Sequence, residues 1–417
     1  STEGFFNYNQ TWENHRLDAV LGAGYYYTAE RTVVAQSTGF FTDAFITDKL
    51  QAGSNQDERF TGSARSAVTK LSQFGRLSYT FRDRYTILGT LRRDGSSYFA
   101  KNHKWGIFPS ISGAWRISGE PWAQIDWLTN LKLRAGYGSA GNEPRNANSL
   151  AVYAAEELTG AGTEIAYGLI TAGGYLGGVQ LSTAANPDLK WETDETINVG
   201  LDYGLFRQRI SGSVDYFIRR ARDLLDYKTL PSQGLVDEVI ANIGSTEARG
   251  VELELNSINV SRADFVWESN FNVSYTRYRW LERNPDLVLD SWVPVTAEMS
   301  AIYGWETNGI FTGYEQINSY TNSGGEVLQP KAMPGNLRYV DYNGDGVLDD
   351  NDNHFLGVRT PPWRFGLNNR LQYRNLALSF YFYGAAGHMR NRDDRSTRLG
   401  NATNQGNGWS KNIDRYW

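Results

Sequence analysis

A chain of 417 residues, 40% hydrophobic and 14% aromatic, is too apolar for a disordered polymer and long enough for a few ordinary domains or one large barrel. Its 41 basic and 46 acidic residues give a formal charge of −5 with no concentrated basic stripe, so no nucleic acid is expected as a partner. The absence of cysteine excludes a disulfide framework, thiolate catalysis and thiolate metal sites.

Residues 4–11 read as an incoming strand and 15–28 as its return, with Leu17, Ala19, Leu21, Ala23, Tyr25 and Tyr27 at alternate positions. A period of two places them on one face. The segment 29–70 reads as a long polar connection. Residues 71–81 and 85–94 form the next pair, joined only by Arg82, Asp83 and Arg84. Residues 105–117 carry the fullest alternation. Trp105, Ile107, Pro109, Ile111, Gly113, Trp115 and Ile117 oppose a small or polar set that includes Ser110, Ser112 and Arg116. A tilted strand of about 9–11 residues crosses a bilayer, and tryptophan near both ends suits its two interfaces.

Pro121 heads an expected helical turn over 121–126, and Leu131, Leu133, Ala135 and Tyr137 mark a strand over 131–139. A Gly/Ala/Asn-rich segment runs to about 190. Further strands follow at 193–203 and 210–218, 251–255 and 265–275, and 365–373 and 376–382. Short links at 204–208, 257–264 and 374–375 join these pairs, and long loops at 222–247 and 279–362 separate them.

The pattern is about twelve strands in six hairpins, with connections alternately short and long. No apolar run approaches the roughly 18 residues of a membrane helix, but a barrel needs none, because half of each strand is free to be polar. Short periplasmic turns and long external loops are the signature of outer-membrane barrels. A propeller would repeat at a fixed ~40–50 residues, and a sandwich has no reason for the alternation. The expected fold class is therefore all-β, a transmembrane antiparallel β-barrel. Leu77, Tyr79, Ile87, Ile111, Val199, Val214, Phe271 and Phe380 are expected to face lipid. Arg92, Arg116, Asn198, Asp202, Glu252, Glu254, Asn270 and Asn272 are expected to face the interior. The short links belong at the periplasmic rim and the long segments at the other.

Residues 341–352 read Asp-Tyr-Asn-Gly-Asp-Gly-Val-Leu-Asp-Asp-Asn-Asp. Asp341, Asn343 and Asp345 stand at loop positions one, three and five, and Gly346 at the sharp turn. The Val347 carbonyl comes at seven, Asp349 at nine and Asp352 at twelve. Calcium takes six to eight oxygen ligands in this spacing, so a structural Ca²⁺ in an external loop is expected, without an EF-hand pair around it. An Asp/Asn-rich turn without metal is the competing reading.

Catalysis finds no support. His15, His103, His354 and His388 make no metal-ligand spacing, and no Gly-x-Ser-x-Gly elbow occurs. Glu252 and Glu254 share one strand face, which suits lining charges better than a glycosidase pair. The chain is read as no enzyme.

Six stretches, in order along the chain, resemble the SusC-like (SusC/RagA) TonB-dependent transporters of the Bacteroidetes outer membrane. They are 85–97, 105–115, 131–138, 186–193 (Asn-Pro-Asp-Leu-Lys-Trp-Glu-Thr), 242–255 and 341–346. The resemblance implies a 22-stranded barrel closed by an N-terminal plug and energised through TonB, with a SusD-like surface lipoprotein as lid. It implies a location in outer-membrane lipid and import of a nutrient oligomer, an oligosaccharide or a peptide. The chain begins at Ser1 with no signal peptide and resembles the middle-to-late barrel, so plug, TonB-contacting segment, first strands and closing strands are expected outside it. Trp292, Tyr303, Trp305, Phe311 and Tyr314 in the longest loop are candidates to stack on sugars, pack on the lid or fill a loop core. A structural or adhesive barrel that transports nothing is the alternative reading.

Overall fold

The computed structural model describes residues 1–42, 44, 49–143, 152–156, 170–171, 174–175, 178–230, 236 and 238–390. Among them the main element is a 12-stranded sheet in which each strand is hydrogen-bonded to the strands before and after it. The strands are β1 (Thr2–Trp12), β2 (His15–Thr38), β3 (Asn55–Phe81), β4 (Tyr85–Ser96), β5 (Trp105–Arg116) and β6 (Leu128–Asn142). They continue as β7 (Glu192–Leu205), β8 (Ile210–Arg222), β9 (Ser245–Arg262), β10 (Phe265–Glu282), β11 (Trp363–Tyr373) and β12 (Leu376–Ala386). The all-β antiparallel fold and the twelve strands agree with the sequence reading.

Several boundaries do not. The segment 29–70 is mostly strand: β2 continues to Thr38 and β3 begins at Asn55, pairing Thr28 with Val68 and Gln36 with Phe60. Its ladder is satisfied without an apolar face, so hydrophobic alternation leaves no trace of it. The link at 257–264 shrinks to residues 263–264, because β9 runs on to Arg262. The loop 222–247 holds a paired hairpin, Leu225–Thr229 with Glu238–Asn242. The loop 279–362 holds two more pairs, Ala301–Gly304 with His354–Val358 and Thr307–Ile310 with Leu337–Tyr339, besides a helix at Tyr314–Ser319. The turn expected over 121–126 is 3-10 helix at Pro121–Ala123. Residues 144–151, 157–169, 172–173 and 176–177 of the segment 139–190 lie outside the described residues.

Two compact units share the chain: Ser1–Tyr203, Phe217–Ser245 and Arg283–Asp286 form the first, and Gly204–Tyr216, Thr246–Glu282 and Leu287–Trp417 the second. In the first, cross-strand register aligns Ala19, Leu77, Gly89, Ile111 and Tyr137 in one row, and Leu17, Tyr79, Ile87, Gly113 and Ala135 in the next. Partners in register share a face, so the expected lipid-facing residues of these strands fall together. The intervening rows hold Gly22, Phe74, Arg92 and Phe108, and further along Arg116 opposite Lys132. The β3–β4 link closes with left-handed backbone at Arg82 and Asp83, both at φ 51°, a conformation that suits the twist of flanking strands.

In the second unit Phe265 pairs with Tyr373 at the short-link end, and Tyr275 pairs with Trp363 at the loop end. Phe271, Leu367 and Phe382 align between them, while Asn270 and Asn272 stand on the opposite face opposite Asn368 and Gly366. The apolar face of this unit is strongly exposed, with Leu376, Leu378, Phe380 and Phe382 all open. That is the surface a lipid-facing wall requires.

Candidate functional site

The polar face of the first unit carries a cleft of about 800 Å³ toward the long-loop ends of β2, β3 and β4. Tyr26, Lys70, Arg92, Asp94, Tyr98 and Trp191 line it. The strand period supplies Tyr26, Lys70, Arg92 and Asp94, because these stand on the polar alternation of three neighbouring strands. Trp191 comes from the segment just before β7. Its ring lies 5.0 Å from Phe99 and meets Phe108 edge-on at 5.6 Å, and its N–H donates to the Lys104 carbonyl at 3.1 Å. Gly106 and Gly141 leave room for the Phe108 ring, with which a Cβ at either position would collide. Phe99 and Leu189 are almost fully buried, so this wall of the cleft has a small core of its own.

Charge lines the cleft in pairs. Arg92 donates from Nε to Asp94 at 2.6 Å and from Nη2 to Ser72 Oγ at 3.0 Å, and Lys70 pairs with Glu143. Deeper on the same face, Arg134 makes a fork of 2.7 and 2.9 Å to Asp202, which Lys132 approaches at 3.6 Å. Aromatic rings beside fixed ion pairs make a surface for a polar, extended ligand rather than an apolar one.

Two stretches singled out in the sequence meet in space. Asn186 donates its side-chain amide to the Ile240 carbonyl at 2.7 Å. Asn242 accepts from the Lys190 amide at 2.9 Å and donates to the Lys190 carbonyl at 2.8 Å and the Asp223 carbonyl at 2.9 Å. Asn242 thereby mimics a strand partner for Lys190 and holds the Trp191 segment against the hairpin. Sequence reasoning missed the cleft; the Trp191 stretch alone hinted at it.

The loop aromatics divide. Phe311 is fully buried against Tyr320, Trp305 meets Tyr339 edge-on at 4.9 Å, and Tyr303 packs on Phe355. These build a loop core. Tyr314 stays open at the start of its helix.

The 341–352 loop folds on its own amides. Asp341 accepts from Gly344 and Gly346, each at 2.8 Å, Asn343 accepts from Asp345, and Asp345 accepts from Val347 at 2.9 Å. Gly346 has φ +85°, the left-handed turn its position requires. Asp352 is wholly buried and accepts from Tyr342 at 2.8 Å and Asp349 at 3.0 Å. Asp349 in turn accepts from Asn351 at 2.7 Å. Among the described residues no group of three or more acidic or histidine side chains is gathered to hold a metal. Turn geometry at one, three, five and six follows the spacing, and the side chains at one, three, five, nine and twelve all accept from backbone amides.

At the opposite end of the first unit, Glu120 is buried in the β5–β6 link. It accepts from the Tyr85 hydroxyl, from Trp115 Nε1 at 3.2 Å and from Arg84 at 3.1 Å. The Tyr85 hydrogen bond, then those of Trp115 and Arg84, hold its carboxyl below the ordinary carboxylate range.

Residues 1–417, the whole chain, match the family model described as TonB dependent receptor-like, beta-barrel. The chain belongs to the TonB-dependent receptor β-barrel family. Curated relatives of this receptor barrel include TonB-dependent receptor P26 of Formosa agariphila, 31% identical over 93% of this chain and 39% of that protein. Another is TonB-dependent receptor SusC of Bacteroides thetaiotaomicron, 30% identical over 75% of this chain and 30% of that protein. The receptor barrel thus spans about two-fifths or less of the curated relatives it matches. Among solved structures, the RagAB peptide transporter aligns with TM-score 0.76 and 24% identity, over 96% of this chain and 43% of that one, which shows a common fold. Receptor barrels of this family sit in the outer membrane, so the apolar face of the sheet meets lipid and the polar face with its cleft looks inward.

Proposed function

We propose that this receptor barrel takes part in active import of a nutrient oligomer, a glycan or a peptide, across the outer membrane. The carrying observation is the family match over the whole chain, beside relatives that include SusC and a fold shared with the RagAB peptide transporter. In this reading TonB energises the protein through segments outside this chain, and a SusD-like surface lipoprotein covers the long loops. The paired charges and aromatic rings around Tyr26, Arg92 and Trp191 offer a hydrated oligomer hydrogen bonds and stacking surfaces. The named relatives are receptors, and the proposed function is transport.

The test is growth of a strain lacking the whole protein on defined oligosaccharides and on peptides as sole nutrient. Loss of growth on one class, reproduced by inactivating TonB, supports import. Unchanged uptake with loss of surface attachment supports the adhesive alternative.

We also propose that Ca²⁺ is held by Asp341, Asn343, Asp345 and the Val347 carbonyl, with Asp349 and Asp352 shaping the loop or completing the shell. Support comes from the one-three-five spacing of Asp341, Asn343 and Asp345 and from the left-handed turn at Gly346. Calcium would supply charge neutralisation and loop stiffness only.

A further inference from the structure

On the second unit, arginines appear on the wrong alternation for water. Val251 on β9 and Trp267, Phe271, Val273 and Tyr275 on β10 define the lipid-facing positions. Arg249, Arg277 and Arg279 continue those same alternations. The apolar span is bounded by the Phe265–Tyr373 pair at one end and the Tyr275–Trp363 pair at the other, whose rings lie 4.6 Å apart. Arg277 and Arg279 come about 12 and 14 residues after Phe265, just past the roughly 9–11 that a tilted strand needs to cross. The arginines therefore lie at the depth of the outer-leaflet headgroups, beyond the aromatic edge.

Their supports are buried and their heads are not. Glu247 is fully enclosed and accepts from Arg249 Nε at 2.8 Å and from Arg279 at 2.9 and 3.0 Å. Glu298, 16% exposed, accepts from Arg277 Nε at 2.6 Å. The three arginine side chains remain 42–57% exposed. Each carboxylate takes the Nε and Nη2 edge of its guanidinium, so the half-exposed side chain offers its Nη1 side to a further acceptor. Three cations over two anions leave one positive charge on a surface that meets headgroups. A planar fork fixed in place matches a phosphate in two parallel hydrogen bonds.

We propose that Arg249, Arg277 and Arg279 form a binding site for the phosphate of an anionic outer-leaflet lipid. The site orients the wall in the membrane and is independent of what the receptor imports.

The whole receptor is purified in detergent, placed in nanodiscs of equal phosphatidate and phosphatidylcholine with matched chains, and its retained lipids are counted by native mass spectrometry. The unaltered protein retains phosphatidate in excess. R277Q/R279Q lowers that excess by at least about tenfold, the loss expected for a single charge-assisted bond. If that variant does not fold, R277K/R279K keeps charge and packing but loses the fork, and lowers the excess by about threefold. Equal phosphatidate retention by the folded variants and the unaltered protein overturns the proposal. Complete displacement of phosphatidate by millimolar inorganic phosphate also overturns it, by showing a general anion site and no lipid site.

Discussion

Trp267 donates its indole N–H to Oδ1 of Asn369 across 3.0 Å, on the alternation that meets lipid. Ser269 donates to the same oxygen at 2.7 Å and accepts from the Asn259 amide at 2.6 Å. Asn369 is buried beneath these neighbours. In hydrocarbon a polar group has no water to turn to, so this chain closes on itself across neighbouring strands. Asn369→Ala removes the acceptor shared by two donors and is expected to cost about 1–3 kcal/mol. Thermal unfolding of the receptor in detergent checks it; an unchanged midpoint would show that water reaches these groups.

Topology is testable because the chain has no cysteine of its own. Asn375 lies in the β11–β12 link, and Ser323 lies in the loop between β10 and β11. A membrane-impermeant maleimide applied to intact cells should label Ser323→Cys and leave Asn375→Cys unlabelled until lysis. The reverse pattern would turn the wall upside down.

Acid should loosen the β5–β6 link. The folded Glu120 carboxyl is held below its unfolded range by Tyr85, Trp115 and Arg84. A depressed carboxyl contributes stability above its unfolded value, about 4.3, and loses it as pH falls through the lower folded value. Glu120→Gln is therefore expected to be less stable than the unaltered protein at pH 7, with the gap closing toward pH 3. A gap that stays constant across that range would rule out the linkage.

Calcium content decides the 341–352 loop. Metal analysis of the dialysed receptor should find about one calcium per chain at the millimolar concentrations where external sites fill. Asp345→Ala should lose it and leave the loop more open to protease. Equal calcium content in both proteins would assign the loop to its backbone amides alone.

Sequence alone determined the wall. A strand that divides lipid from polar interior must alternate, so Ile87, Ile111 and Phe271 mark their face by spacing alone, and the short links mark one rim. The long-loop ends of β2 and β3 stayed hidden, because Thr28 to Gln36 and Phe60 to Val68 need only each other's backbone and no apolar face. Tertiary structure decided what distant residues share. Trp191 reaches Phe99, Phe108 and Lys104 only because β4, β5 and the segment before β7 converge, and local pattern carries no trace of such a meeting. Glu247 and Arg279 were invisible for a related reason: a buried carboxylate on an apolar alternation looks like an interruption until its partner arrives from the next strand. Alternation records which solvent each face meets, and cross-strand packing records which side chains meet each other; only the first is written along the chain.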